Sequence, residues 1–566
     1  MFPTSKKEME ALGWDAPDVI LFSGDAFIDH PSFGAAVIAR VLESRGYRVA
    51  VVPQPNWRDD LRDFRKLGAP KLFFGVTAGA MDSMVNHYTA ARRLRSNDAY
   101  TPGGIAGQRP DYAVTVYSNI IKDLYPDVPL VIGGIEASLR RLTHYDYWQD
   151  CLKPSVLVGS RADYLVYGMG ERPMAAIADA IRDGWSRERI CTIPQVGYIS
   201  DDKPQREGIE LSSFELCCRD DLHFVKNFQV IEREANRLDA SFIFEKTGDR
   251  YVCLNPPYPP ATTEEMDAVY DLPFTKLPHP RYKGKTIPAY DMIKFSITTH
   301  RGCFGGCNFC TIAAHQGKFI QSRSMESVER EAAALGSLPD FRGNISDLGA
   351  PTANMYMLGG RDRTLCARCS RHSCLFPSRC ANLATSHEEL LELYRRVLAV
   401  KGIRHAYIGS GIRYDLFLGE EGFLDDTSER YLRELMVNHT SGRLKVAPEH
   451  TEEHVLKVMG KPSFRLFERL RTEFDRIVRR EGLRYQLVPY FISGHPGCTM
   501  GDMEKLSRNP YLRGLYMEQV QDFTPTPMTT SSVAFYTGID PNTGKKVFVE
   551  RDPERKQRQK SYFFKR

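Results

Sequence analysis

Three cysteines stand close together in Thr299–Thr311, which reads THRGCFGGCNFCT. Cys303, Cys307 and Cys310 are spaced C-x3-C-x2-C, and Gly302, Gly305 and Gly306 make the stretch loop-like. Three thiolates on one flexible loop can wrap a [4Fe-4S] cube and ligate three of its four irons. The fourth iron then lacks a protein ligand and is open to chelation by a small molecule. The same residues also read as a zinc site completed by His300 or His315, or as chance spacing.

A second group lies in Leu365–Cys380, LCARCSRHSCLFPSRC. Cys366, Cys369, Cys374 and Cys380 are spaced C-x2-C-x4-C-x5-C. Four cysteines so close in a reducing compartment imply a metal. It is either a closed, structural zinc or an auxiliary iron-sulfur cluster that transfers electrons or binds substrate. Arg361, Arg363, Arg368, Arg371 and Arg379 make this loop basic, and with Phe376 it could touch nucleic acid or simply face solvent. Cysteines 151, 191, 217, 218, 253 and 498 show no ligand spacing and read as small apolar residues. Cys498 is the one to test as a substrate-site thiol.

The elements that must position these loops come in two alternating runs. Asp18–Phe22, Tyr47–Val52, Lys71–Val76, Leu130–Ile132 and Tyr164–Tyr167 read as buried strands separated by helical patterns. This predicts a doubly wound parallel sheet over 1–200, with ligands beyond the carboxyl ends of its strands. Residues 201–290 break the alternation, with a helical stripe and the proline-rich LNPPYPP, and read as a connector. Met292–Thr298, Ile345–Leu348, His405–Gly409, Arg443–Ala447, Tyr485–Phe491 and Glu518–Asp522 are strand candidates with helices between them. Six βα repeats over 291–540 suit a curved, partial TIM-type (β/α)6 barrel, with the Cys-rich insertion at 361–382 and the active site at the carboxyl ends of the strands. The fold class is therefore α/β, with a Rossmann-like domain before the barrel and a basic tail at 541–566.

Composition bounds the rest. The chain has 566 residues, 13 of them cysteine, with 42% apolar and 26% charged residues. That is ordinary for a globular protein of about three domains. No apolar run reaches the ~18–20 residues of a spanning helix. The N-terminus has no signal-peptide pattern. A cytoplasmic protein without a membrane partner is expected, and its thiols then stay reduced. The net charge is +5. Residues 545–566 carry nine basic and three acidic side chains, so the excess sits in the tail. The tail is either solvated or in contact with an acidic partner.

The C-x3-C-x2-C loop after the first barrel strand resembles the radical SAM superfamily motif, and Phe309 before its last cysteine fits too. Ser296–Ser324, Ile345–Tyr356 (ISDLGAPTANMY), Ile408–Asp415 (IGSGIRYD), Lys445–His450 (KVAPEH), Tyr490–Gly497 (YFISGHPG) and Val520–Pro527 (VQDFTPTP) resemble the YgiQ-like proteins, relatives of the radical SAM methylthiotransferases. The resemblance implies that Cys303, Cys307 and Cys310 hold a [4Fe-4S] cluster. S-adenosyl-L-methionine would chelate it and be cleaved by one electron to a 5′-deoxyadenosyl radical. It implies a cofactor pocket from Phe309, Gly349, Ala350, Thr352, Ser410, Arg413 and Glu449. Here Gly349-Ala350 stands where the superfamily has two glycines. Arg413 and Glu449 also read as a structural ion-pair partner and a helix-terminal charge. For His300 and His315 a hydrogen-bonding role is expected rather than ligation.

The N-terminal domain, with Val131–Ser138 (VIGGIEAS), resembles the cobalamin-binding-like domain that often precedes such barrels. The cobalt-ligating D-x-H-x-x-G pattern is absent, and His30 and Gly34 stand as H-x-x-x-G. Cobalamin is not expected on that ground. An electron donor such as flavodoxin or ferredoxin is implied, and an RNA or protein substrate is left open. Two alternatives accompany radical cleavage: methyl or methylthio transfer to RNA or protein, and a zinc-stabilised RNA-binding protein without radical activity.

Overall fold

The computed structural model describes residues 1–517 and 519–563. Its N-terminal half is built on one nine-stranded sheet. Strands β1 (Val19–Ser23), β2 (Val49–Pro53), β3 (Phe73–Thr77), β4 (Leu130–Gly133) and β5 (Tyr164–Val166) pair in parallel in the order β2-β1-β3-β4-β5. The apolar runs of these strands supply both faces. Val19, Leu21, Val49, Val51 and Val131 enter one core, whereas Ile20, Phe22, Ala50, Val52 and Ile132 enter the other. This period of two is why a strand covered by helices on both sides reads as continuously apolar.

The sheet does not stop near residue 200. Strands β6 (Val196–Ser200), β7 (Ile209–Leu211), β8 (Ile243–Thr247) and β9 (Arg250–Leu254) extend it in the order β5-β6-β9-β8-β7. The stretch 201–254, expected as part of a connector, therefore belongs largely to the sheet and its helices. The sequence hides this because β8 and β9 form a hairpin around the Gly248-Asp249 turn near the sheet edge, where Glu245, Lys246 and Arg250 interrupt the apolar pattern. The true crossing begins at Asn255. Residues 275–279 then run antiparallel along the loop after β1, where Asp29 N–H donates to Leu277 O (3.1 Å) and Lys276 N–H to Asp29 O (2.8 Å).

The second alternation yields parallel strands β10 (Ser296–Thr298), β11 (Asn344–Ile345), β12 (Asp347–Gly349), β13 (His405–Ala406), β14 (Arg443–Glu449), β15 (Gln486–Ser493) and β16 (Gln519–Asp522). Helices Met325–Leu335, Glu388–Ala399, Asp426–Asn438, Arg465–Glu481 and Met500–Ser507 alternate with them. Residues 344–349 bond to both neighbours, Ser346 N–H to Phe295 O (3.0 Å) and Leu348 N–H to Tyr407 O (2.8 Å), so β10 to β13 form one run, β14-β15-β16 form a second, and the ladder is interrupted between β13 and β14. One physical reason is local. The Asp347 carboxylate accepts the N–H groups of Gly409 (2.8 Å) and Ser410 (3.1 Å), so a side chain stands in for ladder partners beyond β13. Glu518, the expected first residue of the last strand, lies outside the described residues.

Two further contacts lock the chain together. Lys276 of the crossing segment and Arg323 both pair with the buried Glu331 on helix Met325–Leu335. The C-terminal segment, expected as a basic tail, folds back as helix Pro553–Ser561. Its Gln559 Oε1 accepts Gly494 N–H (2.8 Å), and Lys556 is buried with Nζ 3.3 Å from Phe523 O. Tail residues 564–566 lie outside the described residues. No helix among the described residues is long and apolar enough to cross a membrane.

Candidate cluster and cofactor site

The Cys303 loop leaves β10 at the carboxyl end of the strand set. Two glycines decide its path. Gly306 has φ +59°, and a Cβ there would lie 2.5 Å from Ser373 Cβ. A Cβ on Gly305 would lie 2.2 Å from Arg413 Nη1, so only glycine lets that guanidinium reach the loop. Cys303, Cys307 and Cys310 are half-buried because they line one small internal cavity of about 40 Å³, with Arg141, Glu232 and His372 on its other side. All three are free thiols.

The electrostatics are specific. Arg413 Nη1 lies 3.3 Å from Cys307 Sγ, and the Asp415 carboxylate grips the other edge of the guanidinium (Nε–Oδ1 3.0 Å, Nη2–Oδ2 2.6 Å). Burial disfavours the Arg413 charge, but Asp415 and Cys307 outweigh it and keep the group protonated. Burial pushes the Cys310 thiol up to about 12, with Cys307 adding to the effect. Burial also raises the Cys303 thiol, against the lowering pull of Arg413 and Thr352. Burial thus works against ionisation of these two thiols as free nucleophiles.

The structure brings most of the expected cofactor residues to this region. Thr352 Oγ1 is 3.4 Å from Cys303 Sγ. Gly349, Ala350 and Ser410 line a cavity of about 510 Å³ between the barrel strands and the carboxyl ends of the N-terminal sheet, which contributes Thr77, Gly79 and Gly133. The Gly349 carbonyl accepts Thr299 N–H (2.9 Å), and Ser410 Oγ donates to Asp347. Glu449 holds a left-handed backbone (φ +69°) at the end of β14, with its carboxylate 3.7 Å from Lys461 Nζ. Burial raises the Glu449 carboxyl, against Lys461 and Arg413. A strained non-glycine residue at a strand end is a mark of functional sites.

Two of the expected cofactor residues make other contacts. Phe309 packs edge-on against His495, 6.0 Å between ring centres, and does not line the large cavity. Arg413 is committed to Asp415 and Cys307, so it is placed to steady the loop as an ion-pair partner. Sequence reasoning missed Asp415 and Lys461. The signal for Asp415 was its place two residues after an arginine in IGSGIRYD. His300 is occupied at both ring nitrogens, by Thr299 Oγ1 (2.8 Å) and Thr352 O (3.1 Å). His315 Nδ1 meets Ser138 Oγ of the N-terminal domain (3.1 Å). Cys498 is buried beneath the C-terminal helix, 3.5 Å from His450 Nε2, and burial pushes its thiol up to about 12. That buried pair is not a substrate-facing thiol.

The second cysteine group lies directly beside the first. Cys374 N–H donates to Phe304 O (3.0 Å), and Ser373 Oγ to Gly305 O (2.8 Å). Cys374 and Cys380 pack with Cys303 against Phe304, Leu375 and Leu383. His372 pairs with Glu232 on helix Asp221–Ala235, which ties this loop to the N-terminal domain.

Comparison with known proteins fits this layout. Residues 1–296 match the family described as Radical SAM N-terminal. A UPF0313 protein of Bacteroides thetaiotaomicron is 54% identical, over 99% of this chain and 93% of its own length. The UPF0313 protein YgiQ of Shigella flexneri is 43% identical, over 95% of this chain and 79% of its own. A solved structure of the radical S-adenosylmethionine methyltransferase TsrM from Kitasatospora setae, with cobalamin and a [4Fe-4S] cluster bound, shares the fold. It has a TM-score of 0.51 and 16% identity, over 92% of this chain and 78% of its own. With near full-length identity to those relatives and three thiols gathered on one loop, the chain belongs to the YgiQ-like UPF0313 family of the radical SAM superfamily and is an enzyme of that class.

Proposed function

We propose that Cys303, Cys307 and Cys310 hold a [4Fe-4S] cluster and that the chain uses it to cleave S-adenosyl-L-methionine. The observation that carries this is the convergence of three free thiols on one internal cavity beside a fixed guanidinium. A cubane cluster on three thiolates carries net negative charge, and Arg413 supplies the compensating cation. When bound, such a cluster supplies one electron to the chelated sulfonium and so gives a 5′-deoxyadenosyl radical.

The chain's own residues do the rest. Thr352 and Arg413 orient the ligand loop through Cys303 and Cys307. Gly349 spends its carbonyl on Thr299 and Thr352 spends its carbonyl on His300, which leaves Ala350 and Pro351 between them to face the methionine amino group. Ser410 and Glu449 stand where polar groups of the cofactor would come. The cavity of about 510 Å³ is roofed by the N-terminal sheet, so a substrate there would be shielded from water.

Methyl transfer is the second reading, favoured by that same cavity at the β1/β3 switch point of the parallel sheet. TsrM holds cobalamin as well as its cluster, so the expectation of no cobalamin has no support. His30 does not line the cavity: it is buried against the Lys276 and Glu331 pair and its Nδ1 accepts Ser32 N–H (3.1 Å). Cobalamin bound there would lack this histidine as a ligand. The reading as a zinc-stabilised RNA-binding protein has no support in an enzyme family.

The test is anaerobic. The full chain is reconstituted with iron and sulfide, reduced with dithionite or with flavodoxin or ferredoxin, and given S-adenosyl-L-methionine. 5′-Deoxyadenosine is the expected product, and stoichiometric zinc on the Cys303 loop would sink the reading. S-adenosylhomocysteine appearing beside it, with and without added cobalamin, separates methyl transfer from simple hydrogen abstraction.

A further inference from the structure

We propose that Cys366, Cys369, Cys374 and Cys380 hold a second, redox-active [4Fe-4S] cluster that relays electrons to the group on the Cys303 loop. The relay rests on the preceding reading of Cys303, Cys307 and Cys310; the metal assignment does not.

The four cysteines share one folded loop. The loop folds back through Cys369 N–H to Cys366 O (3.1 Å) and Cys380 N–H to Cys374 O (2.8 Å), and Asn382 Nδ2 lies 3.4 Å from Cys366 Sγ. A buried cation serves them. Lys318 is 4% exposed, its Nζ is 3.9 Å from Cys369 Sγ, and it is held there by Arg371 O at 2.7 Å. An ammonium fixed beside one thiol of the set would stabilise a net anionic metal-thiolate centre.

Adjacency favours the cluster over zinc. The quartet's loop is hydrogen-bonded to the loop that carries Cys303 (Cys374 N–H to Phe304 O, 3.0 Å), where a redox centre could pass electrons and a closed zinc site could not. Four thiolates would occupy all four irons, so this cluster has no open iron for substrate and its chemistry is electron transfer.

Its position matches that role. Phe304, whose carbonyl accepts Cys374 N–H, adjoins Cys303, so one hydrogen bond links the backbones of the two ligand loops. The same loop exposes Arg361, Arg363, Arg368 and Arg379. A basic surface beside the quartet suits an acidic one-electron carrier protein. The external donor would give one electron to the quartet's cluster, which would return to its oxidised state on passing that electron inward. The electron would end in the broken carbon–sulfur bond.

The decisive protein is the full chain with Cys303→Ala, Cys307→Ala and Cys310→Ala. Purified anaerobically, it should retain about four irons and four sulfides per chain and show a cluster EPR signal after dithionite. One zinc per chain, or no metal, overturns the assignment. Cys374→Ser tests the relay. Cleavage driven by dithionite should persist, while cleavage driven by reduced flavodoxin should fall about tenfold or more. Equal loss or equal retention with both reductants overturns it. If Cys374→Ser does not fold, Lys318→Met gives the same comparison. An EPR-active triple variant beside an intact chain that cleaves no S-adenosyl-L-methionine would tell against the function proposed for the Cys303 loop, not against the second metal.

Discussion

Arg413 sets one guanidinium nitrogen 3.3 Å from the Cys307 sulfur while Asp415 grips its opposite edge at 2.6 and 3.0 Å. The pair is buried, and Gly305 clears the space through which the guanidinium approaches. On the function proposed, a cation held this way would orient a metal ligand and offset cluster charge without touching the substrate.

Asp415→Asn should therefore loosen the cation without removing it. Iron retention and the rate of S-adenosyl-L-methionine cleavage should both fall, by about 10–100-fold for an outer partner of a metal ligand. Iron content after gel filtration and 5′-deoxyadenosine yield measure it. Unchanged values for both would show that the pair is only a fold contact.

Gly349→Ala isolates the cofactor pocket from the cluster. Its new Cβ would stand 2.9 Å from both Ser410 Oγ and Asp347 Oδ1, forcing that clasp apart. Overpacking of about 1–3 kcal/mol should appear as weaker S-adenosyl-L-methionine binding, with iron content unchanged. Equilibrium dialysis against the reconstituted protein reads the affinity.

The domain clasp predicts an acid limit. Burial alone would raise the Glu331 carboxyl, but Lys276 and Arg323 outweigh it and bring the group from 4.5 to about 2. The unfolded chain binds more protons between these values, so this contribution is complete above pH 4.5 and is lost as pH falls toward 2. The window of 2.5 pH units corresponds to about 3 kcal/mol. Urea midpoints at pH 5.5 and 3.5 should differ more for the native chain than for Glu331→Gln. Parallel pH profiles would refute the clasp.

Cys498 should be silent. Buried beneath the C-terminal helix with its thiol pushed up to about 12, it should resist iodoacetamide in the folded protein at pH 8. Cys498→Ala should keep iron binding and cleavage. Loss of cleavage with iron retained would restore it as a substrate thiol.

The Cys303 loop was legible as a candidate because its signal is local. Three cysteines and three glycines within nine residues need no tertiary information to be read as a metal loop. The first five parallel strands were legible for a related reason, since strands covered on both faces become continuous apolar runs such as Val19–Phe22. Strands β7 to β9 were not, because the hairpin Ile243–Leu254 carries charge in its pattern and only its Arg250–Leu254 arm pairs with a strand some fifty residues earlier, Val196–Ser200. The C-terminal helix misled for a different reason. Its composition is that of a solvated tail, yet Lys556 buries its alkyl stem and still donates to Phe523 O.

By itself the sequence determined the two cysteine groups, the two alternating α/β runs and the family. Those depend on residue types at fixed short spacing. The tertiary structure alone decided which residues meet. It set Arg413 on Cys307 rather than toward the cofactor cavity, enclosed Cys498, opened a cavity between the two sheets, and laid Cys374 against Phe304 across 70 residues of chain. Such contacts follow from packing and loop closure between distant segments, and no local pattern encodes them.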